Sequence, residues 1–168
     1  SDSALSASGL VKEQGHFASH DLFSEGLITI QDESSQLVAP TLELQGDEQV
    51  LDACAAPGGK TAHMASYLTT GQVTALDLYD HKLTLIQENA QRLGVADRVQ
   101  TQKLDARKVH EFFCKDRFDK ILVDAPCSGI GLLRRKPDIK YNKETADFTS
   151  LQEIQSEILG SVCQTLRK

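Results

Sequence analysis

One stretch of the sequence reads Val50-Leu-Asp-Ala-Cys-Ala-Ala-Pro-Gly-Gly-Lys-Thr61. Its apolar run at residues 50–53 is followed by a turn of small residues and then by a helical pattern at residues 60–68. A short apolar run bounded by Gly and Pro is typical of a buried strand. Gly71 follows the helical pattern in the way that C-terminal glycines do. The stretch therefore predicts a strand, a tight turn and a helix in that order.

The alternation of strand and helix continues along the chain. Strands are predicted at residues 73–77, 99–104 and 118–124, and helices at residues 79–93, 107–113 and 143–166. Strands that alternate with helices form βαβ units with parallel strands and right-handed crossovers. We therefore expect an α/β, Rossmann-like fold with a doubly wound, mostly parallel sheet of strand order 3-2-1-4. Its ligand crevice is expected beyond the carboxyl ends of the strands.

The sequence divides into three parts by composition and pattern. Residues 1–15 begin with a serine-rich stretch and are predicted to be a disordered leader. Residues 16–46 are predicted to form an N-terminal extension, with a short strand or hairpin at residues 27–30 and a helix at residues 34–44. Residues 47–168 contain the repeating strands and helices and form the third part.

Each predicted strand ends at or near an aspartate, and these residues are Asp52, Asp77, Asp105 and Asp124. One such aspartate is usually a helix cap. The carboxyl ends of parallel strands meet at one edge of a sheet, so four aspartates in register indicate a shared ligand site. An acidic residue after the second strand suits ribose hydroxyls, and Asp105 is placed to meet the polar edge of a base.

The turn after the first strand fits neither of two familiar phosphate-binding loops. Gly59-Lys-Thr61 matches the end of the P-loop pattern GxxxxGK[ST], but the first glycine would fall at Cys54, and GxGxxG is absent. Small residues in the turn let the backbone approach a ligand closely. These features favour an adenosine ligand without a pyrophosphate, with S-adenosylmethionine as the leading candidate and Lys60 or the helix N-terminus near its carboxylate. The alternative is a turn whose glycines serve backbone geometry alone.

Composition excludes several classes of protein. The 168 residues include 18 basic and 24 acidic side chains, so no overall positive field attracts nucleic acid. No apolar run approaches the roughly 18 residues needed to span a bilayer, and the N-terminus lacks a signal-peptide pattern. The four cysteines form no CxxC pair and the five histidines have no ligand spacing, so no metal site is expected. These points predict a reduced, cytoplasmic protein without a membrane segment.

Four motifs follow one another along the chain. They are Gly26-Leu-Ile-Thr-Ile-Gln-Asp-Glu-Ser-Ser35, Asp52-Ala-Cys-Ala-Ala-Pro-Gly-Gly-Lys-Thr61, Asp124-Ala-Pro-Cys-Ser-Gly129 and Leu132-Leu-Arg-Arg-Lys-Pro-Asp-Ile-Lys140. In this order they resemble the Sun/Fmu-type RNA cytosine-5 methyltransferases, and above all the bacterial members that act on 16S ribosomal RNA. The resemblance implies that residues 47–168 are an S-adenosylmethionine-binding methyltransferase domain that is incomplete at its C-terminal end.

The resemblance also implies the roles of particular residues. Asp124 is expected to act as an acid near N3 of the cytosine, with a pKa raised by burial beside the cofactor. Cys127 is expected to assist product release. Contacts to the cofactor or the bound cytosine are expected from Cys54, Ala55, Ala56, Pro57, Gly58, Gly59, Lys60, Asp77, Asp105 and Asp124, with Lys82 a weaker candidate near the ribose. Contacts to RNA phosphates are expected from Arg134, Arg135, Lys136 and Lys140.

In that family the nucleophile is a second cysteine, in a Thr-Cys pair at the end of the next strand. The sequence contains no such pair, and Cys163 on the last helix does not replace it. The expected function is methylation of C5 of a cytosine in ribosomal RNA, with this chain alone binding the cofactor but inactive, unless Cys127 retains some chemistry. A P-loop nucleotide hydrolase and a non-catalytic RNA-binding module are the alternatives.

The fourth strand is expected to form an edge of the sheet. In the strand order 3-2-1-4, residues 121–123 have no neighbour on one side. Such edges invite pairing between molecules. We therefore expect a non-physiological dimer or poor solubility.

Overall fold

The computed structural model describes residues 1–11, 17–129 and 145–168. Its centre is a parallel sheet whose strands lie in the order β3-β2-β1-β4. The prediction of a doubly wound sheet with this strand order is confirmed. The strands are β1 (Gln49–Asp52), β2 (Gln72–Asp77), β3 (Val99–Lys103) and β4 (Lys120–Leu122).

Helices connect and cover these strands. Those before the sheet are α1 (Asp21–Ser24), α2 (Glu33–Gln36) and α3 (Val38–Thr41). Those that alternate with or follow the strands are α4 (Gly59–Ser66), α5 (Asp80–Arg92), α6 (Val109–Phe112) and α7 (Thr145–Val162). Single 3₁₀ turns lie at Phe17–Ser19, Ala96–Arg98, Ala106–Lys108 and Cys163–Thr165.

The two faces of the sheet are buried against different helices because side chains alternate along each strand. Val50 and Val73 are fully buried and belong to a cluster with residues of α3, α4 and α5. Their neighbour Leu51 faces the other side and packs in a cluster with residues of α6 and α7. This three-layer arrangement places every loop that follows a strand at one edge of the sheet.

The N-terminal extension differs from the sequence prediction in two places. Residues 27–30 are not a strand, because the Leu27 and Ile28 N–H groups donate to Leu22 O and the Ile28 carbonyl accepts from Arg92. The predicted helix at residues 34–44 is instead the two single turns α2 and α3. Pro40 supplies no N–H to extend a helix, and Glu43 has a positive φ of 50° that ends it.

Arg92 at the end of α5 fixes this extension to the sheet domain. Its guanidinium donates to the carbonyls of Phe23 and Ile28 at 2.9 and 3.2 Å and to the Thr29 hydroxyl at 3.2 Å. The guanidinium carbon also lies 4.0 Å from the centre of the Phe23 ring. A stacked and multiply bonded guanidinium of this kind holds a segment in one position. The segment that follows, residues 30–35, reaches the carboxyl edge of β1.

Residues 1–11 form a loop that returns on itself. The Ser3 N–H donates to Gly9 O and the Val11 N–H to Ser1 O, each at 2.8 Å. The Ser3 hydroxyl also donates to the carboxylate of Glu33 at the start of α2. This part of the predicted leader therefore has a defined conformation in the structure, whereas the division of the chain at residues 15 and 46 stays a prediction.

The end of the chain lies beside β4. The Phe118 N–H donates to Thr165 O at 3.1 Å and the Arg167 N–H donates to Phe118 O at 2.8 Å, which is a parallel bridge to Leu166. Leu166 thus covers the outer edge of the sheet at Phe118, two residues before β4 begins. Association of two molecules through this edge stays a prediction. Among the helices of the described residues, none is long and apolar enough to cross a bilayer.

Gly58, the residue before α4, has a backbone that only glycine adopts readily. Its φ is +99°, and a Cβ built on it would lie 2.9 Å from the Cα of Ile86 on the buried face of α5. We expect Gly58→Ala to lower the free energy of unfolding by about 3 kcal/mol, from left-handed strain and overlap with backbone. Gly59→Ala is the matched control, because its Cβ meets only the Gln31 amide at 3.6 Å. Urea denaturation of both variants checks this, and equal stability of the two would contradict it.

Candidate cofactor and base site

A cavity of about 460 Å³ opens at the carboxyl ends of the strands. Asp77, Asp105 and Asp124 all line it, as their positions in the sequence predict, together with Cys54, Ala56 and the possible ribose contact Lys82. Apolar side chains complete the walls, among them Leu78, Leu104, Ile154 and Ile158. The fourth aspartate, Asp52, lines a second, adjacent cavity of about 190 Å³. We call these the larger and the smaller cavity.

Asp77 ends β2 and is held by its neighbours in the loop. Its Oδ1 accepts a hydrogen bond from the Tyr79 N–H at 3.2 Å and lies 3.8 Å from the Lys82 ammonium. The ammonium of Lys82 also lies 5.2 Å from the centre of the Tyr79 ring. The carboxylate is therefore oriented into the larger cavity, where it can accept hydrogen bonds from a ligand.

Asp105 follows β3 and is paired with a residue that the sequence prediction missed. Both of its carboxylate oxygens accept from the Arg107 guanidinium, at 3.0 Å from Nε and 2.6 Å from Nη2. The hydrogen bonds from Arg107 hold the pKa of Asp105 below its usual range, against the effect of burial. Arg107 also reaches Glu157 on α7 at 3.5 Å. The pair thus fixes Asp105 as an ionised acceptor at the end of the cavity.

The turn between β1 and α4 brings its backbone to both cavities. The Ala55 N–H donates to Leu76 O and the Gly58 N–H to Ala55 O, and the Ala56–Pro57 peptide is cis. Cys54 and Ala56 line both cavities, while Ala55, Pro57, Gly59 and Lys60 line only the smaller one. Gly58 lines neither cavity. It lies instead against Ile86 of α5.

Cys54 lies within this turn but is not a nucleophile. Burial, followed by the nearby carboxylates of Asp52 and Asp77, raises the pKa of its thiol to about 12. A thiol with so high a pKa stays protonated at neutral pH, and only the thiolate is strongly nucleophilic. Cys54 is therefore a small wall residue between the two cavities.

Lys60 and Asp124 form an ion pair at the smaller cavity. The Lys60 ammonium lies 2.7 Å from Asp124 Oδ2, and Asp124 lines both cavities. In the structure 56% of the Asp124 side chain is exposed, and its predicted role as an acid near N3 of the cytosine stays a prediction. Lys60 lines the smaller cavity, so the structure brings it to Asp124 rather than into the larger cavity where a cofactor carboxylate was expected.

Asp52 is the most deeply buried carboxyl group of the site. The Thr61 hydroxyl donates to its Oδ2 at 2.7 Å. Its side chain is 1% exposed, and burial raises the pKa from its ordinary 3.8 to about 6. The Thr61 hydroxyl and the nearby Cys54 N–H lower that pKa, but no described residue has hydrogen-bonding geometry to Oδ1. Asp52 thus borders the smaller cavity with its carboxyl group buried beneath the wall.

The remaining predicted site residues lie beyond β4. Cys127 is exposed in the loop after Asp124, and the Gln155 amide on α7 donates to the carbonyl of Pro126 at 2.8 Å. Within the described ranges, no group of three or more His, Cys, Asp or Glu side chains is placed to hold a metal ion. The predicted RNA contacts lie outside the described residues and stay predictions: Arg134, Arg135, Lys136 and Lys140.

Solved structures define the class of this fold. The chain superposes with a TM-score of 0.82 and 31% identity on NSun6 from Pyrococcus horikoshii with SFG, covering 92% of this chain and 39% of that one. A methyltransferase homolog protein from Pyrococcus horikoshii gives a TM-score of 0.78 at 31% identity, covering 92% of this chain and 48% of that one. The fold is that of the Rossmann-like methyltransferases.

The sequence comparisons narrow this class to a family. The family model described as 16S rRNA methyltransferase RsmB/F matches residues 39–168, so the chain belongs to that family. The "Probable ribosomal RNA small subunit methyltransferase B" of Bacillus subtilis is 51% identical over 92% of this chain and 35% of its own length. The Vibrio cholerae "Ribosomal RNA small subunit methyltransferase B" is 42% identical over 86% of this chain and 33% of its own length. The chain spans about one third of the length of these curated relatives.

Proposed function

We propose that the chain is the cofactor-binding part of an RNA methyltransferase. The reaction would transfer the methyl group of S-adenosylmethionine to C5 of a cytosine in small-subunit ribosomal RNA, in the cytoplasm. The family to which the chain belongs supports the reaction class. The observation that carries the proposal is the larger cavity, where Asp77 and Asp105, from the ends of neighbouring strands, meet apolar walls.

The larger cavity fits S-adenosylmethionine in size and chemistry. Its volume of about 460 Å³ lies in the usual range for small-molecule sites. Asp77 is placed to accept hydrogen bonds from the two ribose hydroxyls. Asp105 is an acceptor for the exocyclic amino group of adenine, whose ring faces suit the apolar side chains of Leu104 and Ile158. The end of β2, the residues that follow β1 and β3, and α7 thus build one adenosine site.

The cations of the site argue against a P-loop nucleotide hydrolase. A P-loop uses its lysine on the β- and γ-phosphates and its Ser or Thr hydroxyl on Mg²⁺. Here the Lys60 ammonium is paired with Asp124, and the Thr61 hydroxyl is buried against Asp52. In the larger cavity, Arg107 is paired with Asp105. A triphosphate would meet carboxylates that already hold these cations.

The residues beside the larger cavity suit the handling of a base. The bound cofactor supplies an electrophilic methyl group at a sulfonium. At the smaller cavity, the Lys60 ammonium can donate hydrogen bonds and the Asp124 carboxylate can accept them. This ion pair can therefore hold a polar base edge, which is the role we propose for it. The exposed Cys127 thiol lies in the same loop as Asp124, which supports its proposed part in product release.

Isothermal titration calorimetry tests the cofactor. We expect S-adenosylmethionine to bind with one-to-one stoichiometry, and ATP with magnesium to release no binding heat at the same concentrations. Each ligand is titrated separately into the same preparation of the chain. Binding of ATP without binding of S-adenosylmethionine would overturn the proposed function in favour of the P-loop alternative.

A further inference from the structure

The turn between β1 and α4 lies on one face of α5. Ala55 packs in a buried cluster with Ile86, and a Cβ built on Gly58 would lie 2.9 Å from the Ile86 Cα. Three residues further along α5, Asn89 Nδ2 donates a hydrogen bond to the Pro57 carbonyl at 2.9 Å. Residues three apart on a helix are neighbours on its surface. Ile86 and Asn89 thus support the turn together, one by close contact and the other by a hydrogen bond.

The orientation of the Asn89 amide is fixed by Arg92. Arg92 Nη2 donates a hydrogen bond to Asn89 Oδ1 at 3.2 Å. Because a guanidinium can only donate, the amide oxygen faces Arg92 and the amide nitrogen faces the Pro57 carbonyl. The reversed amide would place two donors together at Arg92 and two acceptors together at Pro57. Arg92 is itself held by the Phe23 and Ile28 carbonyls of the N-terminal extension, so the donor to the turn is set before any ligand binds.

The order of the strands determines which part of a ligand meets this turn. Along the carboxyl edge of the sheet, the residues that line the larger cavity are, in order, Asp105 after β3, Asp77 at the end of β2, and Cys54 and Ala56 after β1. The proposed function places adenine at the first of these positions and ribose at the second. The amino-acid part of the cofactor then lies against the turn, where Pro57 is the next residue in the chain.

We propose that Asn89 is a positioning residue, which holds the backbone of the turn in the conformation that receives the amino-acid part of the cofactor. This inference rests on the proposed function and adds to it a residue that lines neither cavity. No other residue in the described ranges donates a hydrogen bond to the Pro57 carbonyl, so loss of the Asn89 amide frees this side of the turn. A ligand then has to order the wall as it binds, which lowers its affinity.

Titration with two ligands separates this role from a general effect on folding. S-adenosylhomocysteine contains the amino-acid part and no sulfonium charge, whereas adenosine lacks the amino-acid part. In Asn89→Asp the carboxylate keeps an acceptor for Arg92 but has no hydrogen to donate to Pro57. We expect the dissociation constant for S-adenosylhomocysteine, from calorimetry, to rise about fivefold. The dissociation constant for adenosine, from NMR titration, should stay within about twofold of that of the unchanged chain.

Gln87→Glu on the same helix is the matched control. Gln87 is exposed and lines neither cavity, and its Nε2 donates to the Thr101 hydroxyl at 2.7 Å. The substitution therefore adds the same charge to α5 and removes the same kind of donor, and it should leave the binding of both ligands unchanged. NMR spectra without ligand give a second readout. The ¹⁵N signal of Gly58, whose nitrogen is bonded to the Pro57 carbonyl, should shift in Asn89→Asp and not in Gln87→Glu.

The outcomes separate this inference from the proposed function. If Asn89→Asp binds S-adenosylhomocysteine as well as Gln87→Glu does, or if the Gly58 signal does not move, the inference is wrong and the proposed function stands. The inference is also wrong if Asn89→Asp weakens the binding of both ligands equally, because the substitution then acts on the whole site rather than on the turn. Failure of the unchanged chain to bind S-adenosylhomocysteine, or to bind adenosine at millimolar concentration, would instead contradict the proposed function.

Discussion

Replacing Asp77 with alanine is expected to weaken the binding of S-adenosylmethionine by about 100-fold, because two hydrogen bonds from ribose hydroxyls to a carboxylate are lost. The carboxylate is only 10% exposed and is already oriented by the Tyr79 N–H and Lys82, so little ordering is needed when the ligand binds. Its removal also leaves the Lys82 ammonium without its carboxylate partner at the cavity wall. Both effects weaken the same site.

Calorimetry on two alanine variants measures this effect. Asp97→Ala is the matched control, because Asp97 is an exposed aspartate whose ion pair with Arg98 lies outside both cavities. We expect the control to bind S-adenosylmethionine like the unchanged chain. An affinity in Asp77→Ala equal to that of Asp97→Ala would remove the ribose assignment and leave Asp105 as the main contact of the adenosine moiety.

The sheet was predictable because its signal is local. Val50, Leu51, Val73 and Leu76 lie in short apolar runs, and each run ends at an aspartate or one residue before it. Such runs bury both faces of a parallel strand, so they are visible without knowledge of the tertiary structure. The order of the strands follows from the alternation with helices and from the handedness of the crossovers. The grouping of Asp77, Asp105 and Asp124 around one cavity then follows from the sheet.

The missed residues make contacts that no local pattern reports. In the sequence, Arg92 is an ordinary polar residue at the end of α5. In the structure its guanidinium donates hydrogen bonds to Phe23 and Thr29, more than sixty residues away in the chain. Arg107 follows Asp105 by two residues, and this spacing alone indicates the pair, since a side chain there can return to the carboxylate that caps the turn. Gln31 lies in the motif at residues 26–35, but only the packing of the N-terminal extension against the sheet domain brings its side chain to Gly59.

The sequence also does not reveal how exposed each carboxylate is. Asp52 and Asp124 both end or follow a strand, and the sequence treats them alike. Asp52 is buried beneath Thr61, whereas Asp124 projects far enough to be half exposed and to pair with Lys60. Exposure depends on what covers each strand end, which is a property of tertiary packing. The buried group is therefore the one whose protonation is coupled to folding.

Asp52 is expected to make the chain less stable as the pH rises, which is the opposite of the usual effect of a carboxyl group. Its pKa is about 6 in the folded chain against 3.8 ordinarily, so the folded state binds more protons than the unfolded state between these values. Stability from this group is therefore fully present below about pH 4 and is lost as the pH rises through 6. Glu48 and Asp105, whose pKa values are lowered, have the opposite slope. The effect of Asp52 is thus measured as a difference between variants.

In Asp52→Asn the neutral amide keeps an oxygen for the Thr61 hydroxyl and has no charge to bury. The unfolding free energy of the variant, minus that of the unchanged chain, should rise by about 2.4 kcal/mol between pH 4 and pH 7, which is the part of the pKa difference that falls in this range, converted to free energy. Urea denaturation of both proteins over this range measures it. A difference that is constant with pH would mean that Asp52 titrates alike in the folded and unfolded chain.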